Sequence, residues 1–127
     1  MNLLLDTHAL IWLGENDQHL SVKAKKAIES QTNSKFVSIA SFWEIAIKAR
    51  LGKLSLLKPL EQIIKEIEES DAMILGISPE HTLVIEQLPL HHGDPFNRML
   101  IAQASVEGLT IVTCDPHFPD YGVPILW

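Results

Sequence analysis

The sequence predicts an α/β fold: a mostly parallel central sheet of four or five strands, flanked by helices on both faces. Short, continuously apolar runs alternate along the chain with longer segments in which apolar residues recur at helical spacing. Continuous apolar runs are typical of parallel strands, which are buried on both faces. A length of 127 residues suits one domain, 1–127, with one core. The strand–helix–strand crossovers should be right-handed.

Each element is predicted from its own composition and boundary residues. The apolar runs predict strands at 2–5, 35–39, 72–77, 109–114 and, shorter, 124–126. Helical spacing predicts helices over 7–15, from Ser21 to about Ser30, from Ser41 to near Gly52, from Pro59 past Ile67, from Ser78 to near Leu88, and from Asp94 to Gly108. Serine and aspartate open helices as N-caps, proline suits first turns, and glycine closes helices.

The composition excludes several classes of protein. Hydrophobic residues make up 46% of the chain, more than a disordered protein carries. No apolar run approaches the ~18–20 residues that span a bilayer, and the stretch 1–6 lacks the basic leader of a signal peptide. The single cysteine, Cys114, excludes an intramolecular disulfide and a multi-cysteine zinc site. A reducing cytoplasm is therefore the simplest compartment.

The net charge of −6 narrows the possible partners. Proteins that coat nucleic acid by charge alone rely on lysine and arginine at the phosphates, so this chain is not expected to be one of them. A nuclease is still compatible with the charge, because a metal site contributes carboxylates that bound cations neutralise. An acidic protein also suits a basic protein partner.

Four carboxylates lie where an apolar strand ends or an apolar helix begins: Asp6, Glu44, Asp94 and Asp115. In an α/β sheet the carboxyl ends of strands and the amino ends of helices share one edge, where ligands bind. Four acids at one edge would repel one another unless a cation lies between them, and hard cations such as Mg²⁺ prefer oxygen ligands. The pattern therefore predicts metal-dependent phosphodiester chemistry.

Each acid also has a purely structural interpretation. Asp6 and Asp94 are in good positions to cap helices, and Asp115 precedes a proline as turn residues do. Glu44 is four residues before Lys48, and the two could form an exposed helical ion pair. Judged alone, each interpretation is at least as good as the catalytic one. The joint placement of the four acids on one edge favours the site.

Other polar residues are weaker candidates. Thr7 and Thr113 could support the carboxylates or an activated water, whereas Lys48 and Arg98 could hold phosphate or be ordinary surface charges. A loop with two histidines, His91 and His92, precedes Asp94; they could touch RNA or a metal, but such a loop is more often simply solvated. Cys114 is expected to be a small core residue of the fourth strand.

One pattern covers essentially the whole chain. Its parts are Leu4–Trp12 (LLDTHALIW), Ser41–Lys48 (SFWEIAIK), His91–Ala104 (HHGDPFNRMLIAQA), Thr113–Pro116 and Tyr121–Trp127. Together they resemble the PIN domain, and specifically the VapC-like toxins of bacterial toxin–antitoxin pairs. Any one stretch alone would be unspecific, but their joint order and spacing are highly specific.

The resemblance implies a ribonuclease that uses Mg²⁺ or Mn²⁺, with Asp6, Glu44, Asp94 and Asp115 as its acids. The family's pattern usually has a second aspartate at the position of Asn97, where it is commonly the third acid of the site. An amide oxygen can ligate a metal, but without the charge. Asn97 therefore implies weakened metal affinity, an inactive copy, or a change introduced to tame a toxic protein.

The resemblance also implies partners: an RNA substrate, a second copy of the chain, and a small cognate antitoxin whose C-terminal segment covers the acidic groove. No membrane partner is expected. A different class of function is a non-catalytic binding module that keeps the fold and the antitoxin groove, which Asn97 favours. A phosphatase of the haloacid dehalogenase type is less compatible, because it would have a second aspartate where His8 stands.

Overall fold

The computed structural model describes residues 1–127. Five strands are present: β1 (Asn2–Leu5), β2 (Ser34–Ser38), β3 (Met73–Leu75), β4 (Thr110–Val112) and β5 (Ile125–Leu126). Six helices accompany them: α1 (Thr7–Glu15), α2 (Val22–Glu29), α3 (Ile39–Arg50), α4 (Leu60–Glu69), α5 (Pro79–Gln87) and α6 (Pro95–Glu107). A 3₁₀ turn, Phe118–Tyr121, follows β4. No helix is long and apolar enough to cross a membrane.

All five strands run parallel in one sheet, in the order β3-β2-β1-β4-β5. The first strand lies at the centre, where Leu4 pairs with Phe36 of β2 on one side and Ile111 of β4 on the other. The carboxyl ends of β1, β2 and β4 therefore lie side by side. This arrangement brings residues distant in sequence to one edge of the sheet.

The core lies on both faces of the sheet because side chains alternate along β1. Leu3 and Leu5 pack with α1 and α2 on one face. Leu4 points to the other face and packs with Leu100 and Ile101 of α6. A third cluster, centred on Ile45, joins α1 and α3 to the inner side of α4. The predicted α/β class with helices on both faces is confirmed.

Two local predictions differ from the structure. Ser38, not Ser41, caps the helix α3, since its hydroxyl accepts a hydrogen bond from the Ala40 N–H at 3.0 Å. The helix thus begins directly after β2, and Glu44 lies in its second turn rather than its first. Cys114 lies beyond β4 and is exposed, so it is not a core residue. The expected caps Asp6, Ser21, Ser78 and Asp94 are all present.

Candidate active site

A cleft of about 410 Å³ opens at the carboxyl ends of β1 and β4. It is lined by all four predicted acids and by the predicted fifth ligand: Asp6, Glu44, Asp94, Asn97 and Asp115. We call it the acid cleft. Lys48 is the only lysine or arginine that lines it. The four carboxylates therefore share the cleft with one permanent positive charge.

Asp6 is the most deeply buried acid in the cleft after Glu44, with 6% of its surface exposed. Its Oδ1 accepts the Ala9 N–H at 2.7 Å, so the residue caps α1 while facing the cleft, and its two interpretations are both correct. Burial raises its pKa above the usual 3.8, although hydrogen bonds from Thr113 and Ala9 oppose the shift. No lysine or arginine pairs with it.

Glu44 is 3% exposed, so its pair with Lys48 is not the exposed helical pair that the spacing allowed. Its Oε2 accepts from the Lys48 ammonium at 2.5 Å. Its Oε1 accepts from the Thr7 hydroxyl at 2.6 Å, and Thr7 lies 3.1 Å from the Ser41 hydroxyl. Thr7 therefore orients this acid, as the sequence suggested, and Ser41 supports Thr7.

Asp94 and Asp115 are held in place by contacts with backbone groups. Asp94 Oδ1 caps α6 by accepting the N–H groups of Phe96 (2.8 Å) and Asn97 (3.0 Å). Asp115 Oδ1 accepts the His117 N–H at 2.8 Å, and its own N–H donates to the Thr113 hydroxyl oxygen at 3.0 Å. Thr113 therefore touches both Asp6 and Asp115.

His92 joins these two acids and was not selected from the sequence. The backbone N–H of Asp94 donates to its Nδ1 at 3.0 Å, so Nδ1 is unprotonated and the proton lies on Nε2. Nε2 lies 3.0 Å from Asp115 Oδ2 and can donate to it. The Asn97 amide nitrogen also lies 3.0 Å from Nε2. Because an amide N–H and a protonated Nε2 are both donors, they cannot bond to each other. The network therefore favours the Asn97 amide rotated by 180°, so that its Oδ1 accepts from His92 Nε2.

Arg98 faces away from the acid cleft, toward the loop between α5 and α6. Its guanidinium donates to the carbonyl oxygens of Ile85, Leu88, Pro89 and His92 at 2.8–3.4 Å, and to the Tyr121 hydroxyl at 3.3 Å. The Tyr121 hydroxyl also accepts the His92 N–H at 2.7 Å. Both terminal nitrogens of the guanidinium therefore already donate to protein acceptors, which leaves few N–H groups for a phosphate. These contacts assign Arg98 to holding the loop that presents His92.

Replacing Arg98 with lysine is expected to destabilise the protein by about 2 kcal/mol, since one ammonium cannot reach acceptors spread around a planar guanidinium. Urea unfolding monitored by circular dichroism measures the change. Arg50→Lys is the matched control, because Arg50 is exposed and makes no side-chain hydrogen bond. We expect the control to stay within about 0.5 kcal/mol. Equal stability of the two variants would contradict the structural role of Arg98.

Two further residues that line the cleft, His8 and Trp12, were not among the site residues predicted from the sequence. His8 is exposed and lies two residues after Asp6, whereas Trp12 is half-buried. The available signal was the four-residue spacing between His8 and Trp12, which places both on one face of α1. Cys114 also lines the cleft, and partial desolvation there, together with the charges of Asp6 and Asp115, raises the pKa of its otherwise exposed thiol.

The donor chemistry of the cleft suits a hard divalent cation, because its acids offer carboxylate oxygens and Asn97 an amide oxygen. As the side chains stand, no three carboxylate, imidazole or thiol groups are arranged to hold one ion. Glu44 is engaged by Lys48, and Asp115 by His92. Closing the acids around a cation therefore requires side-chain rotation at these two residues.

Comparison with known proteins gives matches over nearly the whole chain. Residues 3–124 match the family model of the PIN domain. The chain is 31% identical to Ribonuclease VapC22 of Mycobacterium tuberculosis (strain ATCC 25618 / H37Rv) over 123 residues, covering 96% of this chain and 93% of that protein.

Solved structures share the fold at low identity. VapBC2 from Rickettsia felis, bound to a DNA fragment from its promoter, matches with a TM-score of 0.70 at 16% identity, covering 99% of this chain and 98% of that chain. DNA-bound VapBC from Salmonella typhimurium also gives 0.70, at 18% identity and with 99% and 97% coverage.

Proposed function

Since this chain belongs to the PIN domain family, we propose that it is the toxin of a toxin–antitoxin pair, a ribonuclease that hydrolyses phosphodiester bonds with Mg²⁺ or Mn²⁺ in the acid cleft. Its 31% identical relative is named a ribonuclease, which supports RNA as the substrate. The observation that carries the proposal is the charge of the cleft. Four carboxylates converge there with one lysine, so the site has an excess of negative charge that a divalent cation would balance.

Asp6, Glu44 and Asp115, together with Asp94 or Asn97, would hold the cation. When bound, it would supply Lewis-acid chemistry, which activates water and stabilises charge on the phosphate. Asp6 and Asp94 are held by the N–H groups of the helices they cap. Their oxygens are thereby preorganised before substrate arrives.

Lys48 has a changing role in this mechanism. In the metal-free protein its ammonium neutralises Glu44. A cation in the cleft would balance the charge of Glu44, and the Lys48 ammonium would then be free to pair with a substrate phosphate. No side chain needs to act as the nucleophile. The sequence offered Arg98 as a second phosphate contact. Its guanidinium N–H groups instead donate to backbone carbonyl oxygens and to Tyr121, so we do not include it among the phosphate-binding residues.

Cleavage of single-stranded RNA by the purified chain tests the proposal. We expect cleavage with Mg²⁺ or Mn²⁺, no cleavage with EDTA, and recovery when the metal is returned in excess. RNA that remains intact under all metal conditions would favour the alternative, a PIN-fold module whose activity is binding. Binding of the same RNA in EDTA separates the two functions, because a binding module retains it.

We also propose a cognate antitoxin as the protein partner, since the solved structures of similar fold are VapBC complexes. An apolar groove of about 180 Å³ between α1 and α4 suits a partner's side chains, with Ile11, Ile63 and Ile67 along its floor. Glu15, Glu66 and Lys58 also line it, and because Lys58 pairs with Glu66 at 2.8 Å, one net negative charge remains to favour a basic segment. The overall charge of −6 acts in the same direction.

A homodimer is the second assembly that we propose. Helix α3 leaves an apolar stripe exposed at four-residue spacing: Ile39, Trp43, Ile47 and Leu51, with 37–62% of each residue accessible. Such a stripe is unusual on a monomer's surface and suits a self-complementary contact. Trp127, in contrast, is half-buried against Trp12 and belongs to the monomer core.

Analytical ultracentrifugation tests the dimer. The native chain should sediment as a dimer and Trp43→Glu as a monomer, because a charge in the apolar stripe opposes its burial. A native chain that sediments as a monomer would contradict the proposal.

A further inference from the structure

A row of aromatic rings leads out of the acid cleft along α1. The ring centroids of His8 and Trp12 are 5.3 Å apart, and those of Trp12 and His19 are also 5.3 Å apart, with the second pair stacked at 27°. We call these three residues the aromatic ledge. His8 and His19 are exposed, and Trp12 is anchored below them against Trp127 and the core. The outer rings are therefore accessible while their support is rigid.

Trp12 belongs to two clefts at once. It lines the acid cleft, and it also lines a second cleft of about 540 Å³ between the end of α1 and α2. The second cleft carries Lys25 and Lys26 together with the carboxylates of Asp17 and Glu29, and Asp17 is held by His19. Lys26 is exposed and makes no hydrogen bond or ion pair, and Lys25 contacts only the neutral Asn16 at 2.9 Å. Both ammonium groups remain available to an anionic ligand.

The orientation of His19 is fixed. Asp17 Oδ1 accepts the His19 backbone N–H at 2.8 Å and lies 2.6 Å from its Nδ1. These contacts lower the pKa of Asp17, which therefore stays ionised and holds the imidazole in place. A preoriented, exposed ring loses little rotamer freedom when another flat ring stacks on it.

We propose that the aromatic ledge and the two lysines form a binding subsite for the single strand of RNA that flanks the cleaved phosphate. The inference rests on the proposed ribonuclease function and extends it. Bases of an unpaired strand stack on histidine and tryptophan rings without regard to sequence, and lysines pair with the phosphates between them. The ledge thereby places the affinity for RNA outside a cleft whose own negative charge repels phosphate.

This subsite predicts that single strands bind more tightly than duplexes, whose bases are already stacked and cannot reach the ledge. It also predicts a dependence on substrate length, because a very short oligonucleotide reaches the acid cleft but not the lysines. RNA that extends over the ledge should be cleaved at lower concentration than RNA that ends before it.

The test is binding of a fluorescently labelled single-stranded RNA in EDTA, so that cleavage does not interfere. His19→Ala should weaken binding about fivefold, and His19→Phe, which keeps a flat ring, should bind like the native chain. Lys26→Ala should weaken binding and lower the slope of log affinity against log salt by about one. Its matched control is Lys23→Ala, since Lys23 lies on the same helix but outside the second cleft.

The outcomes separate this inference from the proposed function. Metal-dependent cleavage by the native chain, with RNA affinity unchanged in His19→Ala and Lys26→Ala, would overturn the subsite and leave the ribonuclease intact. Weakened RNA binding by both variants supports the subsite even if no metal condition gives cleavage. Because His19 and Lys26 are exposed, both variants should fold, which their melting temperatures check.

Discussion

Replacing Asp6 with asparagine is expected to lower RNA cleavage at least about 100-fold and, in the same experiment, to make the metal-free protein more stable. The amide keeps an oxygen for the Ala9 N–H, so the cap on α1 is retained. It removes a charge that is buried without a lysine or arginine partner. Function and stability are therefore expected to change in opposite directions at this residue.

The pH dependence of stability follows from the direction of the pKa shift. Burial raises the folded-state pKa of Asp6 above the usual 3.8. A carboxyl with a raised pKa binds its proton more tightly in the folded state, so its contribution to stability is full below the unfolded pKa. That contribution is lost as the pH rises through the folded pKa. Asp6→Asn should remove this loss and give its largest gain at neutral pH.

Thermal melting from acidic to neutral pH, with and without Mg²⁺, measures these effects. Mg²⁺ should raise the melting temperature of the native chain more than that of Asp6→Asn, because bound ligand stabilises the folded state. Asp17→Asn is the control. Hydrogen bonds from His19 lower the pKa of Asp17, opposite to the shift at Asp6, so neutralising Asp17 should not stabilise the folded protein. A native chain more stable than Asp6→Asn at neutral pH would contradict the buried-charge argument.

Restoring an acid at position 97 is expected to have the second large effect. Asn97→Asp should tighten Mn²⁺ binding by roughly tenfold or more and raise cleavage at limiting metal, because a charged ligand replaces a neutral one. The new carboxylate would lie beside His92 Nε2, which can donate to it as it does to Asp115. His92 would then hold two acids in place.

Titration calorimetry with Mn²⁺ and an RNA cleavage assay, each with the native chain and Asn97→Asp, measure this prediction. Asn97→Ala is the matched control, because it removes the amide oxygen without adding charge. Cleavage by the native chain would show that the other four acids suffice. Cleavage only by Asn97→Asp would indicate that the native chain is a binding module without nuclease activity. If the native chain and both variants bind Mn²⁺ with equal affinity, residue 97 is not a metal ligand.

The fold class and the four acids could be predicted from the sequence because both depend on short-range pattern. Alternation of apolar runs with helical spacing specifies a parallel α/β sheet, and parallel strands necessarily share a carboxyl edge. Asp6 and Asp115 follow β1 and β4, which are neighbours in the sheet. Their meeting in one cleft was therefore predictable without side-chain coordinates. The cap of α3 was misplaced by three residues, since serines at 38 and 41 offer the same local signal.

The roles of the positively charged and aromatic side chains were decided only by the tertiary structure. Arg98 follows Asn97 directly, yet its guanidinium turns to carbonyl oxygens of α5 and of the loop after it, which the sequence does not orient. His92 reaches Asp115 across 23 residues of chain. Trp12 joins two clefts because one lies at the carboxyl edge of the sheet and the other between the end of α1 and α2. Periodicity determines which face of an element is buried, but long side chains select partners among elements that only folding brings together.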